Sequence, residues 1–236
     1  MRGLYAIVDT QTLRARNIDV VAFSRAVLLA RPAALQLRAK NEPPRDLLGL
    51  LRTLAALSRD ACVPFVANDR PDLAALAACD YAHVGQEDLP IEWIRRIAPG
   101  LRVGLSTHTP EQLGRALAAR PEYVAYGPVF PTVSKERPDP VVGLAGLREA
   151  AVSARRANIP LVAIGGITLG NASDIAPIAD AGAVISALLP EGGRHPTTRM
   201  SSSELLEGVT ARARQLHAAL CSPRTGSGEF AARAAI

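Results

Sequence analysis

Eight short apolar runs alternate with stretches of helical spacing along this chain of 236 residues. Strict alternation of this kind predicts parallel strands joined by right-handed crossovers. Eight such units in one chain predict a single (β/α)8 TIM barrel, an architecture of about 250 residues that forms one domain. An open doubly wound sheet is the alternative, but no G-x-G-x-x-G follows the first predicted strand. The predicted strands are residues 4–8, 34–37, 63–67, 81–84, 101–105, 123–126, 161–164 and 183–185.

Helices are predicted between these strands, after a polar loop that follows Asp9. Residues 1–220 are predicted to form the barrel domain, which carries a C-terminal extension. Residues 221–236, which contain Pro, Gly and Ser, are predicted to be a disordered tail. The predicted helices are residues 20–30, a helix opened by Pro43-Pro44 whose leucines run from Leu47 to Leu57, 71–78, 90–97, a helix opened by the capping box at 109–112, 143–157, 173–179 and about 203–220.

Composition argues against several classes of protein. No run approaches the ~18 apolar residues of a membrane span, and no signal-peptide pattern precedes the first strand, so the chain is predicted to be cytoplasmic. The net charge is +5, but six Arg against three Glu from Arg194 onward supply +3 of it. A basic tail without aromatic stacking motifs does not favour nucleic-acid binding. Small molecules are the predicted partners, with neither nucleic acid nor membrane, and a homo-oligomer is compatible with such a barrel.

The three cysteines are predicted to be buried free thiols. Cys62, Cys79 and Cys221 are odd in number and have no metal-ligand spacing. A disulfide framework is therefore disfavoured.

Lysine is rare in this chain. Of 27 basic residues only Lys40 and Lys135 are lysine, and both lie in loops that directly follow a predicted strand. An ammonium is a compact point charge, whereas a guanidinium is a planar fork, so the two differ where one phosphate oxygen must be met in a tight site. The placement indicates chemistry at these two loops, although chance placement of a charge in a loop is the alternative.

Most polar residues that are candidates for a functional site follow the C-terminal ends of the predicted strands. Barrels of this type have their active sites there. Glycines and a serine after the last two strands are typical of a phosphate seat. Two aspartates from neighbouring strands could share one Mg²⁺. The candidates are Arg38, Lys40, Asn68, Asp69, Gln86, Asp88, Ser106, His108, Thr132, Ser134, Lys135, Gly165, Gly166 and Ser186.

Each candidate also has a structural interpretation. Asp69 could be only a helix N-cap and Thr132 only a turn residue. His108 is predicted to be structural or hydrogen-bonding rather than a general base, because no acid partner lies nearby in sequence. The Gly165-Gly166 pair could serve close packing alone. Their common position on one rim favours the functional interpretation.

Six motifs, in order over residues 4–189, resemble thiamine-phosphate synthase. They are QLRAK at 36–40, ND at 68–69, HVGQEDLP at 83–90, GLSTH at 104–108, GPVFPTVSK at 127–135 and IGGI at 164–167. The resemblance implies a barrel enzyme that joins hydroxymethylpyrimidine diphosphate to hydroxyethylthiazole phosphate. Thiamine phosphate and diphosphate would be the products, by way of a pyrimidine carbocation.

The same resemblance implies roles for individual residues. Arg38, Lys40, Lys135 and Ser106 would be catalytic, and Asp69 and Asp88 would bind Mg²⁺. Pyrimidine diphosphate would be held by Gln36, Leu37, Arg38, Ala39, Lys40, Asn68, Ser106 and Lys135. Thiazole phosphate would be held by Thr132, Val133, Ser134, Gly166, Ile185 and Ser186, and His108 and Gly165 complete the expected substrate site.

The sequence differs from the family pattern at two positions, and two other functions are compatible with the resemblance. Ala39 stands where the family often has an acid, and Ser134 where Thr is common. A thiazole tautomerase of the same fold would lose the diphosphate and metal residues and use a histidine at the position of His108. A non-catalytic barrel that binds thiamine phosphates is the second rival. The filled Gln86-Glu87-Asp88 and Lys135 positions favour the synthase over the tautomerase. The charges at both lysines and both aspartates disfavour the non-catalytic barrel.

Overall fold

The computed structural model describes residues 1–132, 139–190 and 201–221. Eight parallel strands close into one barrel, in which each strand pairs with the next and the last pairs with the first. The predicted TIM barrel is therefore confirmed. The strands are β1 (Gly3–Asp9), β2 (Ala34–Arg38), β3 (Phe65–Asn68), β4 (Tyr81–Val84), β5 (Arg102–Thr107), β6 (Tyr123–Tyr126), β7 (Leu161–Ile164) and β8 (Ala181–Val184).

Helices cover the outside of the barrel in the order that the alternation predicts. A short 3-10 helix, Ser186–Leu188, follows the last strand. The α-helices are α1 (Thr10–Arg14), α2 (Val20–Leu28), α3 (Pro44–Asp60), α4 (Pro71–Leu76), α5 (Ile91–Ile97), α6 (Pro110–Ala119), α7 (Gly143–Ala157), α8 (Ala172–Ile175) and α9 (Ser202–Cys221).

Several predicted boundaries are wrong for local reasons. The segment after Asp9, predicted as a polar loop, begins with α1, because the Asp9 carboxylate accepts the Thr12 amide proton at 2.8 Å and caps that helix. The third strand starts at Phe65, since the Val63 amide instead donates to Ser58 O at the end of α3. The last helix includes Cys221, which was predicted to begin the tail, and residues 222–236 lie outside the described residues.

Two apolar layers follow from the period-two alternation of the strands. Leu4, Ala6 and Val8 of β1 point outward and join the core between strands and helices. Tyr5 and Ile7 point inward and join a second cluster made only of strand residues and Ile185, which fills the barrel interior. Residues that alternate with core positions near the strand ends therefore face the mouth of the barrel.

All three cysteines are free, as predicted. Cys79 is buried, and burial raises the pKa of its thiol to about 12, but Cys62 is exposed, which contradicts the expectation that these thiols are buried. Among the described residues no helix combines the length and the apolar character needed to cross a membrane.

Candidate active site

A cavity of about 910 Å³ opens at the C-terminal ends of the strands. Strand ends and the loops that follow them form its wall, as the fold predicts. The predicted site residues that line it are Gln36, Arg38, Lys40, Asn68, Asp69, Gln86, Asp88, Ser106, His108, Thr132, Gly165, Gly166, Ile185 and Ser186.

Five predicted residues are not placed at this cavity. Leu37 and Ala39 alternate with Gln36 and Arg38, so their side chains belong to the outer apolar core. Any contact of these two residues with a ligand would use backbone atoms. Val133, Ser134 and Lys135 lie outside the described residues.

Arg38 is held by a partner that the sequence pattern did not reveal. Its guanidinium donates to Asp9 Oδ2 in an ion pair at the mouth of the barrel. The other Asp9 oxygen caps α1 through the amide and hydroxyl of Thr12, both at 2.8 Å. Asp9 is only 5% exposed, so the pair lies in a largely dehydrated setting that strengthens it. Arg38 is thereby oriented before any ligand binds.

Lys40, Asp69 and Asp88 form a charged group on the adjacent part of the rim. Lys40 Nζ lies 3.5 Å from Asp69 Oδ2, and Asp88 Oδ2 accepts the Gly85 amide proton at 2.7 Å. Burial and the neighbouring Asp88 carboxylate raise the pKa of Asp69, while the Lys40 ammonium partly offsets this. Two carboxylates that repel each other in this way are disposed to share a cation.

The carboxylates of Asp69 and Asp88 fit Mg²⁺, but they are too few for a metal ion that is bound only by protein side chains. Within residues 1–132, 139–190 and 201–221, no group of three or more His, Cys, Asp or Glu side chains could hold a metal ion. Mg²⁺ usually takes one or two protein carboxylates and completes its shell with water and substrate phosphates. Asp69 and Asp88 provide that number of carboxylates beside an open cavity.

His108 has an acid partner that lies far from it in sequence. Its Nδ1 lies 2.7 Å from Gly127 O and 3.6 Å from Asp139 Oδ2. Its backbone amide donates to Gln112 Oε1 at 2.7 Å. The carbonyl contact requires a proton on Nδ1, which leaves Nε2 as the other ring nitrogen at the cavity.

Gly165 and Gly166 both serve close packing. Their φ angles are +99° and +66°, in the region that favours glycine. A Cβ on Gly165 would overlap Pro128, and one on Gly166 would lie 2.7 Å from Phe130 Cβ. Close packing therefore favours glycine at both positions, and both residues also line the cavity.

A continuous chain of hydrogen bonds crosses the barrel interior beneath the mouth. It runs from Asn68 through Gln36, Tyr5, Tyr123 and His83 to Ser106. Successive contacts are 2.9, 2.5, 2.7, 2.8 and 2.7 Å.

Tyr5, His83 and Tyr123 were not among the predicted site residues. Strand alternation could have shown that Tyr5 and Tyr123 face inward, but not that they touch, since 118 residues separate them. Burial lowers the pKa of His83 to about 4, so its imidazole is neutral at physiological pH.

The closed barrel, whose mouth carries an arginine, a lysine, paired aspartates and a two-glycine turn, defines a TIM-barrel protein with a charged cavity where this fold builds its active sites. Residues 4–188 match the family described as thiamine monophosphate synthase. The thiamine-phosphate synthase of Roseiflexus sp. (strain RS-1) is 38% identical over 214 residues, which cover 89% of this chain and 88% of that protein. That of Methanoculleus marisnigri is 42% identical over 193 residues, 80% and 88% of the two chains.

A solved structure agrees with these relatives. Thiamine phosphate pyrophosphorylase from Pyrococcus furiosus superposes with a TM-score of 0.73 at 32% identity, over 91% of this chain and 96% of that one. This chain belongs to the thiamine-phosphate synthase family, which confirms the resemblance of its motifs.

Proposed function

We propose that this chain joins hydroxymethylpyrimidine diphosphate to hydroxyethylthiazole phosphate, giving thiamine phosphate and diphosphate. One observation carries the proposal: in a member of this family, Arg38, Lys40 and the Asp69–Asp88 pair line one cavity. Two cationic side chains and two carboxylates that could hold Mg²⁺ are the groups that a diphosphate needs.

Asp69 and Asp88 are the residues that would hold Mg²⁺. When bound, Mg²⁺ supplies positive charge that offsets the charge of the diphosphate leaving group. Burial and the Asp88 charge raise the pKa of Asp69, and this supports the assignment because a bound cation would offset both.

Arg38 and Lys40 stabilise the same leaving group from the protein side. Breaking the carbon–oxygen bond leaves the electron pair on the diphosphate oxygen, so negative charge develops there. Arg38 is already oriented by Asp9, so it needs little rearrangement to meet that charge. Lys135 is proposed for the same role.

The pyrimidine carbon left behind is cationic and is stabilised by the electron-rich aminopyrimidine ring. The lone pair of the thiazole nitrogen then forms the new carbon–nitrogen bond, so no protein nucleophile is required. Gly165, Gly166, Ile185, Ser186 and Thr132 are proposed to hold the thiazole phosphate, with backbone amides of the turn facing the anion. Holding both substrates together supplies much of the remaining acceleration.

Product formation by charge variants tests this proposal. Purified protein is mixed with both substrates and Mg²⁺, and thiamine phosphate and diphosphate are quantified. Wild type is expected to form both in equal amounts, and Lys135→Ala and Asp88→Ala to lose at least about a hundredfold in rate. Asp60→Ala is the control, since Asp60 is an exposed carboxylate at the end of α3.

Other results would identify the rivals. Conversion of a thiazole carboxylate phosphate tautomer that depends on His108, without synthase activity, would indicate the tautomerase. Tight binding of thiamine phosphates with neither activity would indicate the non-catalytic barrel.

A further inference from the structure

The buried chain of hydrogen bonds has a direction, because each hydroxyl has only one proton. Tyr5 donates its proton to Gln36 Oε1, so at its contact with Tyr123 it must accept. Tyr123 has then used its own proton, and it must accept from His83 Nδ1.

The position of the proton on the His83 imidazole also determines which atom donates in the hydrogen bond to Ser106. A neutral imidazole has one proton, and the contact with Tyr123 places it on Nδ1. His83 Nε2 is therefore an acceptor, and Ser106 must donate its hydroxyl proton to it across 2.7 Å. The remaining lone pairs of Ser106 Oγ are then the acceptors that it can offer the cavity.

At its other end, the chain of hydrogen bonds leaves donors rather than acceptors facing the cavity. Gln36 Nε2 donates to Asn68 Oδ1 at 2.9 Å, so the Asn68 oxygen already has a partner. The Asn68 amide group therefore has N–H donors to offer the cavity that it lines. This chain of hydrogen bonds thus leaves an acceptor at Ser106 and donors at Asn68 for a ligand.

Packing holds the middle of the chain in place. Gly104 is the register partner of both His83 and Tyr123, so the three residues lie at one level of the barrel. A side chain on Gly104 would overlap the Tyr123 ring, which crosses this position and stacks on His83 at 5.6 Å and 15°. Tyr5 and Tyr123 are each only 1% exposed, so water does not compete for their hydroxyls.

We propose that Tyr5, Tyr123 and His83 are positioning residues that fix Ser106 as an acceptor and Asn68 as a donor toward the bound pyrimidine. The chain admits only this direction or its complete reversal, because an intermediate arrangement leaves a buried polar atom unpaired. The placement of the pyrimidine beside Ser106 and Asn68 rests on the proposed function. The direction of the hydrogen bonds does not depend on it.

The tautomer of His83 reports the direction without any substrate. In protein labelled on its histidine nitrogens, NMR at neutral pH is expected to show His83 as the Nδ1–H tautomer, with the signal assigned from His83→Asn. Tyr5→Phe removes the acceptor of the Tyr123 proton, which can then turn to His83. That variant is expected to give a mixture of tautomers although Tyr5 has no hydrogen bond to His83.

Tyr126→Phe is the matched control, because Tyr126 lies on the same strand as Tyr123 but packs in the outer core. Its His83 signal should match that of wild type. An Nε2–H tautomer in the wild-type protein, or an unchanged tautomer in Tyr5→Phe, would overturn the proposal.

Kinetics test the effect on substrate. Tyr5→Phe is expected to raise KM for the pyrimidine diphosphate about tenfold and to leave KM for the thiazole phosphate unchanged. Equal changes in both KM values, or no change in either, would contradict a positioning role. If wild type makes no thiamine phosphate, the proposed function fails, while the His83 tautomer still decides the direction of the chain.

Discussion

Asp9 divides its two carboxylate oxygens between a helix and an active-site arginine. Asp9→Asn is expected to keep the cap on α1, because Asn caps helices as well as Asp does. It removes the charge that holds Arg38, so kcat/KM for the pyrimidine diphosphate should fall about tenfold. Steady-state kinetics measures this change.

Asp19→Asn provides the control, since Asp19 caps α2 through the Ala22 amide at 2.7 Å and is exposed. It should leave the kinetics unchanged. Equal kcat/KM for wild type and Asp9→Asn would show that Arg38 needs no anchor.

The ionised Asp69 carboxylate that is proposed to bind Mg²⁺ destabilises the folded protein when Mg²⁺ is absent. Its pKa is raised in the folded protein, so the ionised carboxylate is less favourable there than in the unfolded chain. Its contribution to stability is therefore present below the unfolded pKa and is lost as pH rises through the raised folded pKa. Asp69→Asn should stabilise the Mg²⁺-free protein at neutral pH, by less than about 1 kcal/mol because the side chain is partly solvated.

Urea unfolding with Mg²⁺ removed, at neutral and acidic pH, tests this expectation. The advantage of the variant should shrink as pH falls and Asp69 becomes protonated. A variant that is less stable at neutral pH would mean that the Lys40 contact outweighs burial and the Asp88 charge.

Within the β5 strand, Gly104 lets the interior of the barrel close around Tyr123. Gly104→Ala is expected to lower the free energy of unfolding by roughly 1–3 kcal/mol, because the methyl group overlaps the buried Tyr123 ring. Gly114→Ala is the matched control: Gly114 is exposed in α6 with open space around it, so alanine should be neutral or slightly stabilising. Chemical denaturation distinguishes the two, and equal stability of both variants would contradict this packing.

Elements with a strong local signal were predictable from sequence. The bounds of β4, β6, β7 and α7 agree with the prediction, since apolar runs or helical spacing mark them clearly. α1 was missed because it has five residues and depends on the Asp9 cap rather than on apolar periodicity. β8 begins two residues early, at Ala181, because Ala181 and Gly182 resemble a turn until they pair with β7.

The site was predictable to the extent that strand order determines it. The strand ends place the polar loops on one rim, so most candidates reached the cavity. Contacts between residues far apart in sequence were not predictable, because alternation shows which way a residue faces but not which residue it meets. Arg38 with Asp9, and His108 with Asp139, are such contacts.

In the molecule as a whole, α9 packs across the junction of the first and last strands. Its buried residues include Val209, Leu216 and Leu220, and Leu220 packs against Gly182 of β8. Thr210 Oγ1 also donates to Ala26 O in α2 at 3.0 Å. The helix thus seals the barrel where the last strand meets the first.

Truncation tests this role. A chain ended after Leu189 should lose roughly 5 kcal/mol of stability, because the apolar contacts of α9 are removed. A chain ended after Cys221 is the control and should unfold at the wild-type temperature with wild-type activity. Cooperative, wild-type unfolding of the shorter chain would refute a sealing role for α9.

The fate of the bridging oxygen shows which bond the protein breaks and whether both products form together. Pyrimidine diphosphate labelled with heavy oxygen between carbon and phosphorus is incubated with thiazole phosphate, Mg²⁺ and the protein, and the products are followed by phosphorus NMR. All the label is expected to appear in diphosphate, released in equal amount to thiamine phosphate, because the carbon–oxygen bond breaks. Label retained on a pyrimidine alcohol, or diphosphate formed without thiamine phosphate, would contradict it.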